Sequence, residues 1–213
     1  MKEVVIFGAG GHGLVVQNIL SSNPNIQVSA FSGLNFTNDT FSGIQVLNFE
    51  QAIVKYDIGI VGIGENFNRS KVVEEILKIK PHFNFINAIH PTSIIAKNVK
   101  LGVGLVISAG TIINPNTVIE DHVILNTGSI IEHDCLIKKF GNISPGVVIG
   151  GNCQVGVGSL VGIGSSMIHG KKIGDYSICG AHSLLYHDIS DCEMHFGVPA
   201  KFKREVIWGD KFL

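Results

Sequence analysis

The sequence predicts a small α/β domain followed by a parallel β-helix, and three observations carry that prediction. Residues 92–187 repeat with a period of six. Residues 1–90 alternate strand and helix patterns. The 213-residue chain also holds 26 glycines against 6 prolines, too much glycine for an ordinary helical enzyme.

The α/β part opens with "EVVIF", a buried strand, followed by "GHGLVVQNILSS", a helix, and "IQVSAF", a second strand. "GIQVL", "NFEQAIVKY", "DIGIVGIG" and "ENFNRSKVVEEILKI" continue the alternation, and "FNFINAI" reads as a last strand. Such alternation implies a small parallel, Rossmann-like βαβ sheet with helices on its faces. The domain boundary is placed near His90–Pro91, giving domains 1–90 and 91–213.

The first strand runs into "GAGGHG", where Gly8, Gly10 and Gly13 fit G-x-G-x-x-G. Glycines there let the backbone approach a phosphate, and the following helix offers its N-terminus to the anion. A nucleotide phosphate is the favoured occupant. A purely structural tight turn comes second. NAD comes last, because the second strand ends at "AFSGLN" with no acid to hold a ribose. Candidate contacts are Gly10, Gly11 and His12, with Ser32 at the tip of the second strand. "GIGEN" adds Gly64 and Asn66 at the same sheet edge.

In the repeat, every sixth residue from Ile95 through Ile107, Ile119, Ile131, Ile143 and Val155 to Leu185 is apolar, with no insertion. Each hexad is a short strand plus a turn, and three close one triangular coil of 18 residues. Residues 18 apart then stack at the spacing of neighbouring strands, roughly 4.8 Å. Cys135 and Cys153 therefore stack, and are read as small residues filling adjacent layers rather than as a disulfide. The four cysteines show no CxxC spacing, so neither a zinc knuckle nor a redox pair is indicated.

The totals exclude other classes. A net charge of −1 offers no basic excess for nucleic acid. No apolar run approaches a membrane span, and the N-terminal apolar run is too short for a secretory leader. A cytoplasmic protein is expected.

One corner of the repeat departs from its neighbours. After the core residue Ile131 come Glu132, His133 and Asp134. They face outward, so three solvated polar residues are one reading. A histidine beside a carboxylate is also the arrangement of a general base whose tautomer its neighbour sets. His133 plus 18 is Gly151, whose backbone amide then lies beside it, placed to bind an oxyanion. A metal site using His122 and His133 is the competing use of histidine.

With these motifs in hand, the chain resembles the NeuD/PglD-type sugar acyltransferases of the left-handed β-helix, hexapeptide-repeat superfamily. The resemblance rests on "IFGAGGHG", "IHPTSIIA", "ILNTGSIIEHDC", "ISPGVVIGG" and "FGVPAKFKR", spread over essentially the whole chain. It implies a homotrimer with the site between subunits. It also implies transfer of acetyl from acetyl-CoA, with no metal, to the 4-amino group of a UDP- or dTDP-linked 4-amino-4,6-dideoxy sugar. The products would serve surface glycans such as O-antigen and lipopolysaccharide. His133 matches the general base, Asp134 the acid supporting it, and Gly151 the oxyanion amide. Asn142, Gly151, Ile163 and Ala181 match positions along acetyl-CoA, and Gly10, Gly11 and His12 match the nucleotide contact. Two residues depart from the pattern. Asn142 stands where relatives commonly carry a histidine, which makes His133 the only local base. "AFSGLN" lacks the acid that relatives often place there. An O-acetyltransferase acting on sialic acid is the nearest alternative. A β-helix hydratase using metal and a non-enzymatic scaffold represent other classes.

Overall fold

The computed structural model describes residues 1–33 and 39–210. The chain divides into two compact units, Met1–Pro91 and Thr92–Leu213. In the first unit the elements are β1 (Lys2–Phe7), α1 (Gly11–Ser21), β2 (Ile26–Ser32), β3 (Thr40–Phe41), β4 (Ile44–Leu47), α2 (Phe49–Lys55), β5 (Ile58–Val61), α3 (Asn66–Ile79) and β6 (Asn84–Phe85). The sheet order is β3-β4-β2-β1-β5-β6.

β1 is central because Val4, Val5, Ile6 and Phe7 are apolar without alternation, and all four are buried. It pairs in parallel with β2 and with β5, so all three C-terminal ends open on one edge. β3 and β4 form an antiparallel hairpin that the alternating pattern did not predict. Its turn, Ser42–Gly43, has positive φ at both positions, the two-residue geometry that suits a hairpin. The expected last strand, "FNFINAI", is two short pieces, and only Asn84 and Phe85 pair with β5. Leu34 and Asn35 of "AFSGLN" lie outside the described residues.

The second unit is a left-handed parallel β-helix of two-residue strands. The first face runs from Ile94–Ile95 to Leu184–Leu185, and the second from Lys100–Leu101 to Lys172–Ile173. The third runs from Val106–Ile107 through Ile178–Cys179. It is extended by Glu193–Phe196 and by the antiparallel Lys201–Glu205. Up to Leu185 the pairing is i to i+18 on every face, for example Ile112 with Ile130, Leu136 with Gln154 and Asn142 with Leu160; it shortens to 16 where Ile178 meets Met194. The sixfold apolar series fills the prism. From Ile107 to Leu185 its members are at most 3% exposed, while Ile95 and Leu101 at the open first coil are partly buried. Between the strands, one residue per hexad from Gly104 to His182 takes a positive φ, and it turns the corner.

Side chains stand in for glycine's missing bulk where the coils end. Phe196 covers Gly180, and Trp208 lies against both Gly158 and Tyr176. Cys135 and Cys153 are buried free thiols, each donating to a carbonyl of the next coil, Gly150 at 3.3 Å and Ile168 at 3.2 Å.

The register makes a direct prediction. Ile131→Asp or Ile143→Asp places an unpaired carboxylate inside the prism, a cost of several kcal/mol that the fold has no partner to offset. Neither variant should yield soluble folded protein by size exclusion and circular dichroism. Ile131→Ala should fold and lose about 2–5 kcal/mol in urea unfolding.

Candidate active site

The first unit carries a cavity of about 540 Å³ at the strand edge, lined by the Gly8–His12 turn, Ser32, Gly33 and Gly62–Glu65, with Phe7, Phe49 and Val72 as its apolar wall. The glycines of the turn do different jobs. Gly8 has φ +132°, and a Cβ there would sit 2.6 Å from the Gly62 carbonyl oxygen. A Cβ on Gly13 would sit 2.0 Å from the Gly8 carbonyl oxygen. Both are therefore required by backbone packing. A Cβ on Gly10 or Gly11 would meet nothing within 4 Å, so these two are bare toward the cavity. Gly10 is the N-cap of α1 and supplies no side-chain cap, so the first N–H groups of the helix are left for a ligand.

Two cavity-lining residues, His12 and Ser32, each have a buried polar atom, Nε2 and Oγ, without a hydrogen-bond partner. Such unsatisfied groups call for an explanation, and a ligand at the site is one. His12 is held down to about 4, first by burial and then by the Arg69 guanidinium, so it is neutral near pH 7. A neutral imidazole still donates from one nitrogen. Gly64 lies beside the His12 ring. Asn66 is fully buried and stands behind the cavity. Its Oδ1 accepts from Arg69 at 2.9 Å, and Arg69 also donates to the Ile63 and Gly64 carbonyls. Asn66 thus shapes the loop without lining the cavity. Sequence reasoning missed Phe49 and Glu65. The Glu65 carboxylate lines the cavity, yet it caps α3 by accepting from the Phe67 and Asn68 amides.

The second unit carries the histidine corner. Glu132–Cys135 connects a strand of the first face to one of the second, and the side chains of His133 and Asp134 are 56% and 50% exposed. Asp134 has φ 59°, a conformation that asparagine and aspartate tolerate better than most residues. His133 Nδ1 donates to Asp134 Oδ2 at 2.7 Å. A carboxylate only accepts, so Nδ1 carries the proton and the Nε2 lone pair is left for a substrate. Hydrogen bonds from His133 and then Asn116 hold the Asp134 carboxyl below the usual carboxylate range. Gly151 lies against the His133 ring. A Cβ there would lie 2.6 Å from His133 Cε1 and 2.7 Å from Nε2. Among the described residues no acceptor faces the Gly151 N–H.

Known proteins share this architecture. Residues 3–76 match the model of the PglD N-terminal domain. PerB from Caulobacter crescentus, solved with CoA and GDP-perosamine, superposes with a TM-score of 0.88 and 31% identity, covering 96% of this chain and 98% of that one. The chain belongs to the PglD-type family of hexapeptide-repeat sugar acyltransferases. It is also 32% identical over 117 residues to UDP-N-acetylbacillosamine N-acetyltransferase of Bacillus subtilis, a match spanning 51% of this chain and about half (52%) of that relative. GDP-perosamine N-acetyltransferase of Escherichia coli O157:H7 is 29% identical over 172 residues, 73% of this chain and 76% of that one.

Within this PglD-type chain the remaining candidates occupy other parts of the prism. Asn142 lies on the third face, where its Oδ1 accepts from Asn126 at 3.0 Å. Ile163 and Ala181 stack 18 residues apart on the corner between the third and first faces, both exposed. One protomer thus brings His133, Asp134 and Gly151 together, and sets Ile163 and Ala181 on a different corner. No three His, Cys, Asp or Glu side chains among the described residues form a metal-ligand group. No helix of the described residues is long and apolar enough to cross a membrane.

The cavity yields three predictions. Gly13→Ala should unfold or strongly destabilise the first unit. Gly10→Ala should melt near the parent temperature but lose most of the thermal shift given by nucleoside diphosphates. Unfolded His12 titrates near 6.5 and folded His12 near 4. Its contribution to stability is therefore fully present above pH 6.5 and falls as acid is added towards pH 4, by about 3 kcal/mol. Urea unfolding of His12→Asn should show a flatter acid limb than the parent.

Proposed function

We propose that this protein is an acetyl-CoA-dependent N-acetyltransferase acting on a nucleotide-linked 4-amino-4,6-dideoxy sugar, and that its product feeds surface glycans such as O-antigen and lipopolysaccharide. The observation that carries the reading is the His133–Asp134 pair set against the Gly151 amide. The lone pair of His133 Nε2 accepts the proton that the sugar amine loses as it attacks the thioester carbonyl. The Gly151 N–H donates to the oxygen that becomes negative in the tetrahedral intermediate. Collapse of that intermediate breaks the C–S bond and releases CoA. Asp134 stabilises the imidazolium formed on the way. Asn142 acts as a hydrogen-bonding amide along acetyl-CoA and takes no proton.

The nucleotide is assigned to the cavity of the first unit. Its phosphates meet Gly10, Gly11 and the N–H groups opening α1, while the partnerless His12 Nε2 and Ser32 Oγ take further oxygens. The relatives act on UDP- and GDP-linked amino sugars by name, so the nucleobase is left to experiment. A homotrimer completes the proposal. The first face presents Ile94, Ile112, Ile130 and Val148 outward, an apolar strip suited to another copy. A second copy would also bring the Ile163–Ala181 corner, assigned to the pantetheine arm, to the His133 corner.

Thiol release from acetyl-CoA should be measured with UDP-, dTDP- and GDP-linked 4-amino-6-deoxy sugars, for the parent and for His133→Ala. Release with one sugar, reduced about 10²–10⁴-fold in the variant, is expected. Equal rates with and without His133 would reject it as the base. No release with any amine, beside a melting temperature that rises with acetyl-CoA, would redirect the search to hydroxyl acceptors and to Asn142→His.

A further inference from the structure

The histidine corner continues upstream as a column of side chains. Asn98, Asn116 and Asp134 stand 18 residues apart on three successive coils. Asn116 Nδ2 donates to Asp134 Oδ1 at 3.0 Å, and Asn98 Nδ2 donates to Asn116 Oδ1. Asn116 and Asp134 share the left-handed conformation, with φ 64° and 59°, so their side chains leave the corner in parallel and meet at the coil spacing.

The chemistry fixes the direction of this chain. The Asp134 carboxylate only accepts, so Asn116 must turn its NH₂ toward it. That leaves Asn116 Oδ1 facing Asn98, which must donate. Each Asp134 oxygen thus holds one donor, from a different coil: Asn116 on Oδ1 and His133 Nδ1 on Oδ2. An exposed carboxylate with one partner is free to turn into solvent; with two it is held in plane.

We infer that Asn116 is a positioning residue for the proton-accepting histidine, holding Asp134 so that His133 keeps its Nδ1–H tautomer, with Asn98 fixing the Asn116 amide in turn. The inference rests on the acetyltransferase reading for its catalytic consequence, but not for its geometry. Few other charges compete at His133. Its own corner adds Glu132, the preceding corner (Asn114–Thr117) has no ionisable side chain, and the following one (Gly150–Cys153) has only buried Cys153. Lys97 and His169 lie two coils away on either side.

Two variants test this without disturbing the backbone. Asn116→Gly keeps the left-handed turn and removes the donor. Asn116→Asp keeps the shape and replaces the donor with a second carboxylate. In protein labelled with ¹⁵N-histidine, long-range ¹H–¹⁵N spectra should show His133 as the Nδ1–H tautomer in the parent and as a mixture in Asn116→Gly. The same variant should lose about five- to tenfold in kcat with KM for both substrates nearly unchanged, the scale of one hydrogen bond. Asn116→Asp should raise the His133 pKa, moving the acid limb of kcat to higher pH. An unchanged tautomer, kcat and pH profile in Asn116→Gly, even with a lowered melting temperature, would reduce Asn116 to a structural residue and overturn the inference. If the parent releases no thiol with any sugar, it is the acetyltransferase reading that has failed, and the tautomer ratio alone decides whether Asn116 positions His133.

Discussion

The parallel pairing of each residue with the one 18 positions on is the constraint from which the rest of the β-helix follows. Backbone bonds such as Ile130 N to Val147 O and Glu132 N to Ile149 O repeat around the prism at 2.7 to 3.2 Å. They leave no slack for an extra residue, because one insertion would turn every later core residue out of the prism. The same pairing turns sequence spacing into a spatial address. His133 faces Gly151, Asp134 faces Asn116, and Cys135 lies over Cys153, all because three hexads make one coil. A catalytic corner can therefore be assembled from residues far apart in sequence without any loop to hold it.

Corner geometry then limits which residues can stand there. The positive-φ position recurs every six residues, and half of its occupants between Gly104 and His182 are not glycine. A left-handed non-glycine residue costs about 1–2 kcal/mol, least for Asn and Asp. The corner carrying the histidine uses Asn116, Asp134 and Asn152 in succession, and these tolerate the conformation best. Asp134 is thus suited to its turn before it is suited to chemistry. At the corner between the second and third faces, glycines (Gly104, Gly158) are interspersed with bulky residues, for which stacking compensates. His122 lies 5.3 Å from Phe140, and Tyr176 packs 4.8 Å from Trp208.

What was legible in the sequence is what repeats or alternates. The apolar residue every sixth position fixed the prism, the coil length and hence the meeting of His133 with Gly151. The uninterrupted run "EVVIF" placed a buried central strand. Properties that depend on side-chain direction were not legible. Asn66 and Gly64 share the motif "GIGEN", yet Gly64 lines the cavity while Asn66 turns inward to hold Arg69. Asn116 carries no signal of its own in the sequence, because a column becomes visible only once the corner position, three residues after the core residue, is followed from coil to coil. The hairpin of β3 and β4 escaped because its strands are too short to alternate.

Gly151 shows why it and His133 belong to one structural unit. Its carbonyl oxygen accepts from Gly170 at 2.9 Å, so the coil pairing fixes its peptide. The His133 imidazole occupies the space that any Cβ at this position would need. A glycine is required there for the ring to lie against the next coil. Room for the His133 ring therefore comes from one missing methyl group. Placing a histidine on this corner without a glycine 18 residues later would push the ring into solvent, away from the next coil. The pair is specified by the coil length as much as by the chemistry of either residue.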